Sequence, residues 1–373
     1  MRPIFPPLLL MCLALAACAG SAMAPGPSNT TPPAPPPTPG PTPTPAFLEP
    51  DQVPPLTLED IFPLRDITNL RLDPSRVRTI IATGDVIPAR HTDVTIRSQG
   101  NDFLYPVAAT KEITAAADLT VVNLEAPLIE GCPYHDSGFV FCGQAGFAEA
   151  LQTAGVDVAT LENNHIGNYG LEGIAETKRT LAAAGIDFVD RDSEAVRDVR
   201  GLKVGFLAFN GVGETIDRQA VIAQIEALRP RVDVLAVAFH WGAEYASLPQ
   251  VGPGTAEDGP VEIAHLAVDA GADLIIGNHP HWVQAVELYG GGFIAYAHGN
   301  FIFDQMWSYE TRVGVIGRYT FYDDVLVGVE FIPTLIENYA QPVPMEGTEA
   351  QAVLDGMKAA SEELAATGPA AAQ

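Results

Sequence analysis

The sequence predicts an α/β fold built on largely parallel, buried strands. From Arg78 onward, short β-rich runs alternate with helical patterns, and such alternation sets parallel strands in a sheet covered by helices. After residue 283 the runs become glycine-turned hairpins, which predicts a second, more antiparallel sheet or edge in the same domain. Hydrophobic residues make up 47% of the 373 positions, enough for a sizeable core.

Near the start, Arg2 precedes the apolar stretch "FPPLLLMCLALAA", which is too short to span a membrane and reads as an export signal. It ends in "LAAC", which resembles a bacterial lipoprotein signal and makes Cys18 the candidate lipidated residue of a membrane anchor. Ordinary cleavage after "AMA" at Ala24 is the alternative. Residues 19–55 are dominated by Pro, Thr and Ala. They cannot build a core and are expected to be a disordered, extended spacer, reaching roughly 100 Å at about 3.1 Å per residue. The domain is then expected over 56–345, with a C-terminal helix and disordered tail over 346–373. Cys132 and Cys142 flank "PYHDSGFVF". In an exported chain that spacing predicts a disulfide across a short loop. Two unpaired thiols, or a zinc clip completed by His135, are the alternatives.

Strands are expected at 79–86, 119–125, 156–163, 202–210, 232–240 and 273–279, where β-branched and apolar residues run together. Helices are expected at 170–185, 217–230 and 260–272. Nearly every strand ends in a residue able to bind metal. The first ends in Asp85 and the second in Asn123 and Glu125. The third runs into Asn163, Asn164 and His165, the fifth ends in His240, and the sixth in His279 and His281. Ligands of α/β sheets bind beyond the carboxyl ends of the strands, so these groups should collect at one rim. Each has a bland reading alone: Asp85 and Glu125 as turn carboxylates, the asparagines as turn residues, His240 as a packing partner of Trp241. Their shared position argues for one site. Carboxylate, amide oxygen and imidazole together suit divalent manganese, zinc or iron. With His279 and His281 alternating in an extended segment, both rings should project the same way around Pro280.

The motifs "TGDVIPAR", "VNLEAPL", "NNHIGNYG", "HWGAEY", "GNHPHWVQAVELY" and "HGNFIFD" occur, in this order, across about residues 79–305. In this the chain resembles the bacterial capsule-synthesis (CapA-type, poly-gamma-glutamate biosynthesis) proteins, a branch of the calcineurin-like metallophosphoesterases. The resemblance implies a four-layer α/β/β/α sandwich of two mixed sheets and a site for two divalent ions. It implies Asp85, Glu125, Asn164, His240, His279 and His281 as ligands, with Glu125 shared. His279 would join Asn164 and His240 on one ion, and His281 would join Asp85 on the other. His165 would be the acid that protonates the leaving group, and Arg90 would face the substrate anion. Asn123, Asn163, His298, Asn300 and Asp304 are candidates for supporting the ligands from behind. The chain departs from the family pattern at Asn168, where Asp is usual, at His298, where Leu is usual, and in lacking a histidine two residues after Asp85.

The net charge of −26 and the lack of basic blocks exclude nucleic acid as an expected partner. The expected function is a cell-surface metal-dependent hydrolase, a phosphoesterase by the resemblance, acting on an anionic phosphoester or capsule polymer. The alternative is a non-hydrolytic accessory factor in a membrane complex that makes or exports capsule polymer. A metal-stabilised scaffold is a third reading. The absence of a "GxxxxGK[ST]" loop argues against activation of glutamate with ATP by this chain.

Overall fold

Successive residues of a strand face opposite ways, and the apolar runs use both faces. Ile80 and Ala82 point into one core while Ile81 points into another; Val234, Ala236 and Ala238 alternate with Leu235, Val237 and Phe239 in the same manner. The structure, a computed structural model, describes residue 26 and residues 47–367. The leader with Cys18, most of residues 19–46 and the last residues of the tail lie outside the described residues.

The strands form two mixed sheets. The first has the order Gln341–Pro344, Val325–Glu337, Val313–Tyr322, Val77–Val86, Leu119–Leu124, Val158–Thr160 and Asp187–Val189, with Asn300–Ile302 added beside the end of Val77–Val86. The second has the order Val286–Tyr289, Gly292–Ala295, Leu274–Asn278, Val234–His240, Leu202–Asn210 and Ala195–Val199. Each sheet is parallel at its heart and antiparallel on one or both flanks. The hairpins after residue 283 are therefore divided. The Val286–Ala295 pair flanks the second sheet, and the run from Val313 to Pro344 extends the first.

The sheets pack face to face through Ile80, Val121 and Val158 on one side and Val204, Phe206, Val234 and Leu274 on the other. Helices Arg218–Leu228 and Pro260–Asp269 cover the outer face of the second sheet. Helices His91–Ser98, Phe147–Thr153 and Gly170–Ala183 cover that of the first. This is the four-layer sandwich. Asp217 caps the Arg218–Leu228 helix by accepting from the Gln219 and Ala220 amides, at 2.9 and 3.2 Å. The C-terminal helix Gly347–Thr367 buries Met357, Ala360 and Leu364 against the sandwich, and its Ser361 hydroxyl accepts from the Val286 amide at 2.8 Å.

The packed body starts before the expected boundary at 56. Val53 is buried with Leu72, Tyr322 and Val327, and the Tyr322 hydroxyl donates to the Leu48 carbonyl at 2.7 Å. The proline-rich composition hid this, because the residues that anchor the segment are single apolar side chains. Cys132 and Cys142 are joined in a disulfide with Cα atoms 6.0 Å apart. Its loop is bracketed by two short paired strands, Leu128–Ile129 and Gly143–Gln144. Closing a loop this short stabilises the fold by about 3 kcal/mol at most in the chain-entropy picture.

Candidate metal centre

Three parallel strands of the first sheet and two of the second finish at the same rim. Two glycines let the chain close there. A Cβ on Gly84 would stand 2.1 Å from the Gly299 carbonyl oxygen, and one on Gly277 would stand 1.9 Å from that of Tyr296. Each glycine lies one or two residues before a candidate ligand, so "TGD" and "IGNH" pair a close backbone approach with a functional side chain.

Asp85 is fully buried and fully engaged. Its Oδ1 accepts from the amides of Asn123 and Asn278, at 2.8 and 3.0 Å, and its Oδ2 lies 3.1 Å from His281 Nδ1. Burial works against its ionisation, but the hydrogen bond and charge of His281 hold the carboxyl well below its usual range. Glu125 is the opposite case. It is equally buried, yet neither carboxylate oxygen has a hydrogen-bond partner. Burial and the neighbouring Asp85 push its pKa well above the usual value. A buried carboxylate with no donor is costly, and such a group is commonly one that waits for a cation.

The imidazoles stand around it. His240 Nε2 is 3.3 Å from Glu125 Oε1 and 2.8 Å from Asn164 Oδ1. The His240 and His279 ring centroids are 4.8 Å apart, and those of His279 and His281 5.7 Å. Ligand atoms of Glu125, His240 and His279 all lie within 4.8 Å of one another, as do those of Asp85, Glu125 and His281. Glu125 belongs to both groups. Donors at about 2.0–2.2 Å from one ion in tetrahedral geometry stand roughly 3.4 Å apart, so the residues present fit two ions sharing Glu125. Burial lowers His240 to about 3 and takes His279 well below the usual range, leaving both rings neutral with lone pairs to give.

The expected reason for the His279–His281 pairing is corrected. The strand ends at Asn278, and the two histidines adopt φ of +97° and +57°. They are not alternate residues of an extended segment. Two non-glycine residues in the left-handed region within three positions store strain, as functional turns do.

Behind these groups, Asn163 donates to Asn123 Oδ1 at 3.1 Å and accepts from the amides of His165 and Ile166, fixing the turn that carries Asn164. Asn300 donates to Gln305 and to the Thr311 carbonyl and presents its oxygen to His281 Nδ1 at 2.9 Å. Two supports depart from expectation. Asp304 does not reach a ligand; it pairs with Arg90 and accepts from the His91 amide at 3.0 Å. Arg90 is accordingly not free for an anion. Nε and Nη2 are engaged by Asp304, Nη1 donates to the Gly138 carbonyl, and its plane lies between Phe141 and Phe303. His298 faces the inter-sheet core, 2.7 Å from the Tyr319 hydroxyl and 3.2 Å from the Gly277 carbonyl. Sequence reading missed Asn278 and Glu244, and marked Asn168 only as a departure from the family pattern, without a role. Asn278 was findable, since it precedes His279 at the strand end.

His165 Nδ1 lies 3.0 Å from Asn168 Oδ1, which also accepts from the Phe141 amide at 2.7 Å. That second bond identifies the oxygen, so Nδ1 of His165 is the donor. Burial lowers His165 to about 4. At neutral pH the ring therefore rests neutral, with its lone pair on Nε2.

His298 yields a stability test. Burial lowers it to about 4 from an ordinary 6.5. Its contribution is complete above about pH 6.5 and is lost as pH falls towards 4, because the unfolded chain then binds the extra proton. The limit is of order 3 kcal/mol. Thermal unfolding of metal-free protein at pH 7 and pH 5 should show a larger acid loss for the parent than for His298→Leu. Equal losses would disprove this assignment.

The bacterial capsule synthesis protein model, PGA_cap, matches residues 79–305, more than half of the chain. Similar proteins include the capsule biosynthesis protein CapA of Bacillus anthracis, 26% identical over 72% of this chain and 69% of that one. The PGA biosynthesis protein CapA of Bacillus subtilis is 26% identical over 70% and 72%. A probable polyglutamine synthesis accessory protein of Mycobacterium tuberculosis is 28% identical over 51% and 56%.

Proposed function

The chain belongs to the bacterial capsule synthesis protein family, and from that membership and its rim geometry we propose that it is a metal-dependent hydrolase of anionic substrates, foremost phosphoesters. The observation that carries this reading is Glu125, buried with both oxygens bare between two sets of ligands. Two divalent ions of manganese, zinc or iron would supply the Lewis acidity that polarises a phosphoryl or acyl oxygen and acidifies water. Asp85, Glu125, Asn164, His240, His279 and His281 would hold them. With Arg90 paired to Asp304, the attraction of an anion to this acidic chain falls to the ions themselves. His165 would take a proton at Nε2 and return it to the leaving oxygen, while Asn168 holds its other nitrogen.

A second reading rests on the names of the relatives, one of which is a probable accessory protein in polymer synthesis. Here the same site binds a capsule polymer, and a membrane complex, without turnover. Metal analysis of the full chain, followed by phosphoester and γ-glutamyl amide substrates, separates the two. Metal with turnover supports the hydrolase. Metal and polymer affinity without turnover support the accessory role, and a metal-free, inert protein defeats both.

The place of action is proposed as the outer face of the cell membrane, held by lipid on Cys18. Among the described residues no helix is long and apolar enough to cross a membrane. Cys18→Ser should move the protein from the membrane fraction to the soluble one. Retention of the variant, or a mature N-terminus after Ala24, would refute the anchor.

A further inference from the structure

His281 shows where one ion must sit. Asn300 spends its amide nitrogen on Gln305 Oε1 and the Thr311 carbonyl, at 3.1 and 2.8 Å, so the atom facing His281 Nδ1 at 2.9 Å is its oxygen. An oxygen there requires a proton on Nδ1. The lone pair available to a cation is then on Nε2, and the orienting bond on Nδ1 is the usual companion of a metal-bound histidine. The carboxylate facing Nε2 is Glu244, whose Oε1 is 4.0 Å away. That separation is too long for a hydrogen bond and about half an ångström wider than two tetrahedral ligands of one ion, a gap the half-exposed Glu244 side chain can close.

Glu244 is held there by the backbone. The next amide, of Tyr245, donates to the Pro280 carbonyl at 2.9 Å, clasping the "HWGAEY" loop to the turn that carries both histidines. Tyr245 adopts a φ of +60°, a further left-handed residue at this rim. The Glu244 side chain is 45% exposed, and no lysine or arginine pairs with it among the described residues. Ligand atoms of Glu244, His279 and His281 lie within 4.8 Å of one another. Independently, His279 Nδ1 is buried without any hydrogen-bond partner, so a ring of the same three residues keeps an unpaired nitrogen.

We propose that Glu244 is a further metal ligand, closing the mouth side of the divalent ion that His281 holds through Nε2. This rests on the two-ion reading of the rim. It adds a third carboxylate to Asp85 and Glu125, which still leaves two dications with a net positive charge towards an anionic substrate. Being half-exposed, Glu244 is the ligand that an incoming substrate oxygen can displace without disturbing the buried set.

The test is equilibrium binding of Mn²⁺, and in parallel Zn²⁺, to the full chain, with stoichiometry by elemental analysis after gel filtration. Glu244→Gln should lose one class of ion or bind it at least about tenfold more weakly, by the scale of altered metal surroundings. Glu244→Asp should recover part of the loss. Glu226→Gln, an exposed carboxylate on the outer helix Arg218–Leu228, should match the parent. Unchanged stoichiometry and affinity in Glu244→Gln, with the parent binding normally, would overturn the proposal alone. A parent that binds neither cation would overturn the two-ion reading and this proposal with it.

Discussion

Glu125→Gln leaves the protein folded and unable to hold its ions. Without metal, burial and the neighbouring Asp85 raise the Glu125 carboxyl well above its usual range and favour its protonated form, and a glutamine side chain has the size and neutrality of that acid. The metal-free variant should therefore unfold within a few degrees of the parent. What it lacks is the negative charge shared between the two ligand groups. On the two-ion reading proposed above, loss of that charge weakens both sites at once, and a site that works through two ions fails when either is missing. Metal affinity should fall by more than about 100-fold, beyond the 10–100-fold typical of changes behind the ligands, and turnover should fall with it. Calorimetric metal titration beside thermal unfolding reads both quantities. Two ions retained at parental affinity would end the bridging role. A large fall in metal-free stability would mean that Glu125 serves the fold.

The strand-end pattern that made the site legible has a physical cause. Parallel strands entering one rim bring together residues far apart in the chain, and the sequence shows each as a polar residue closing an apolar run. Asp85, Glu125, Asn164, His240, His279 and His281 were singled out this way and stand together at one rim, and the alternation of elements foretold the α/β architecture. What escaped was geometry set by neighbours distant in sequence. Arg90 is claimed by Asp304, 214 positions later, so no local signal marks it as engaged. His298 stands two residues before Asn300 in "HGNFIFD", but its ring turns into the core towards Tyr319. The left-handed backbone of His279 and His281 has no compositional sign, since positive φ is expected of glycine. Glu244 sits after a strand rather than on its last residue. Backbone bonds such as that from the Tyr245 amide to the Pro280 carbonyl bring it to the rim.

Metal uptake should release protons and strengthen steeply with pH. Burial pulls His281 down, but its hydrogen bond with Asp85 and the charges of Glu125, Asp85 and Glu244 outweigh burial and push it up to about 9. Glu125 is raised by burial, while Asp85 stays ionised. At pH 7 the metal-free site thus holds an extra proton on His281, which a cation must displace, and the raised Glu125 adds to the release whatever share of its own proton it still carries. Apparent affinity should rise about tenfold per pH unit for each proton displaced, and level off above about pH 9. Titrations in buffers of different ionisation enthalpy should find at least about one proton released at pH 7, the one His281 carries. Stability gives an independent check of sign. Both groups are raised in the folded state, so their contribution is present at low pH and lost as pH rises, for His281 through about 9. Metal-free protein should lose stability between pH 7 and pH 9, and metal-loaded protein should not, because the ions then replace the protons. His281→Ala should reduce the proton release and flatten this loss. A release of no protons on binding would mean that the cation sits elsewhere and that the two histidines of "GNHPH" do not receive it.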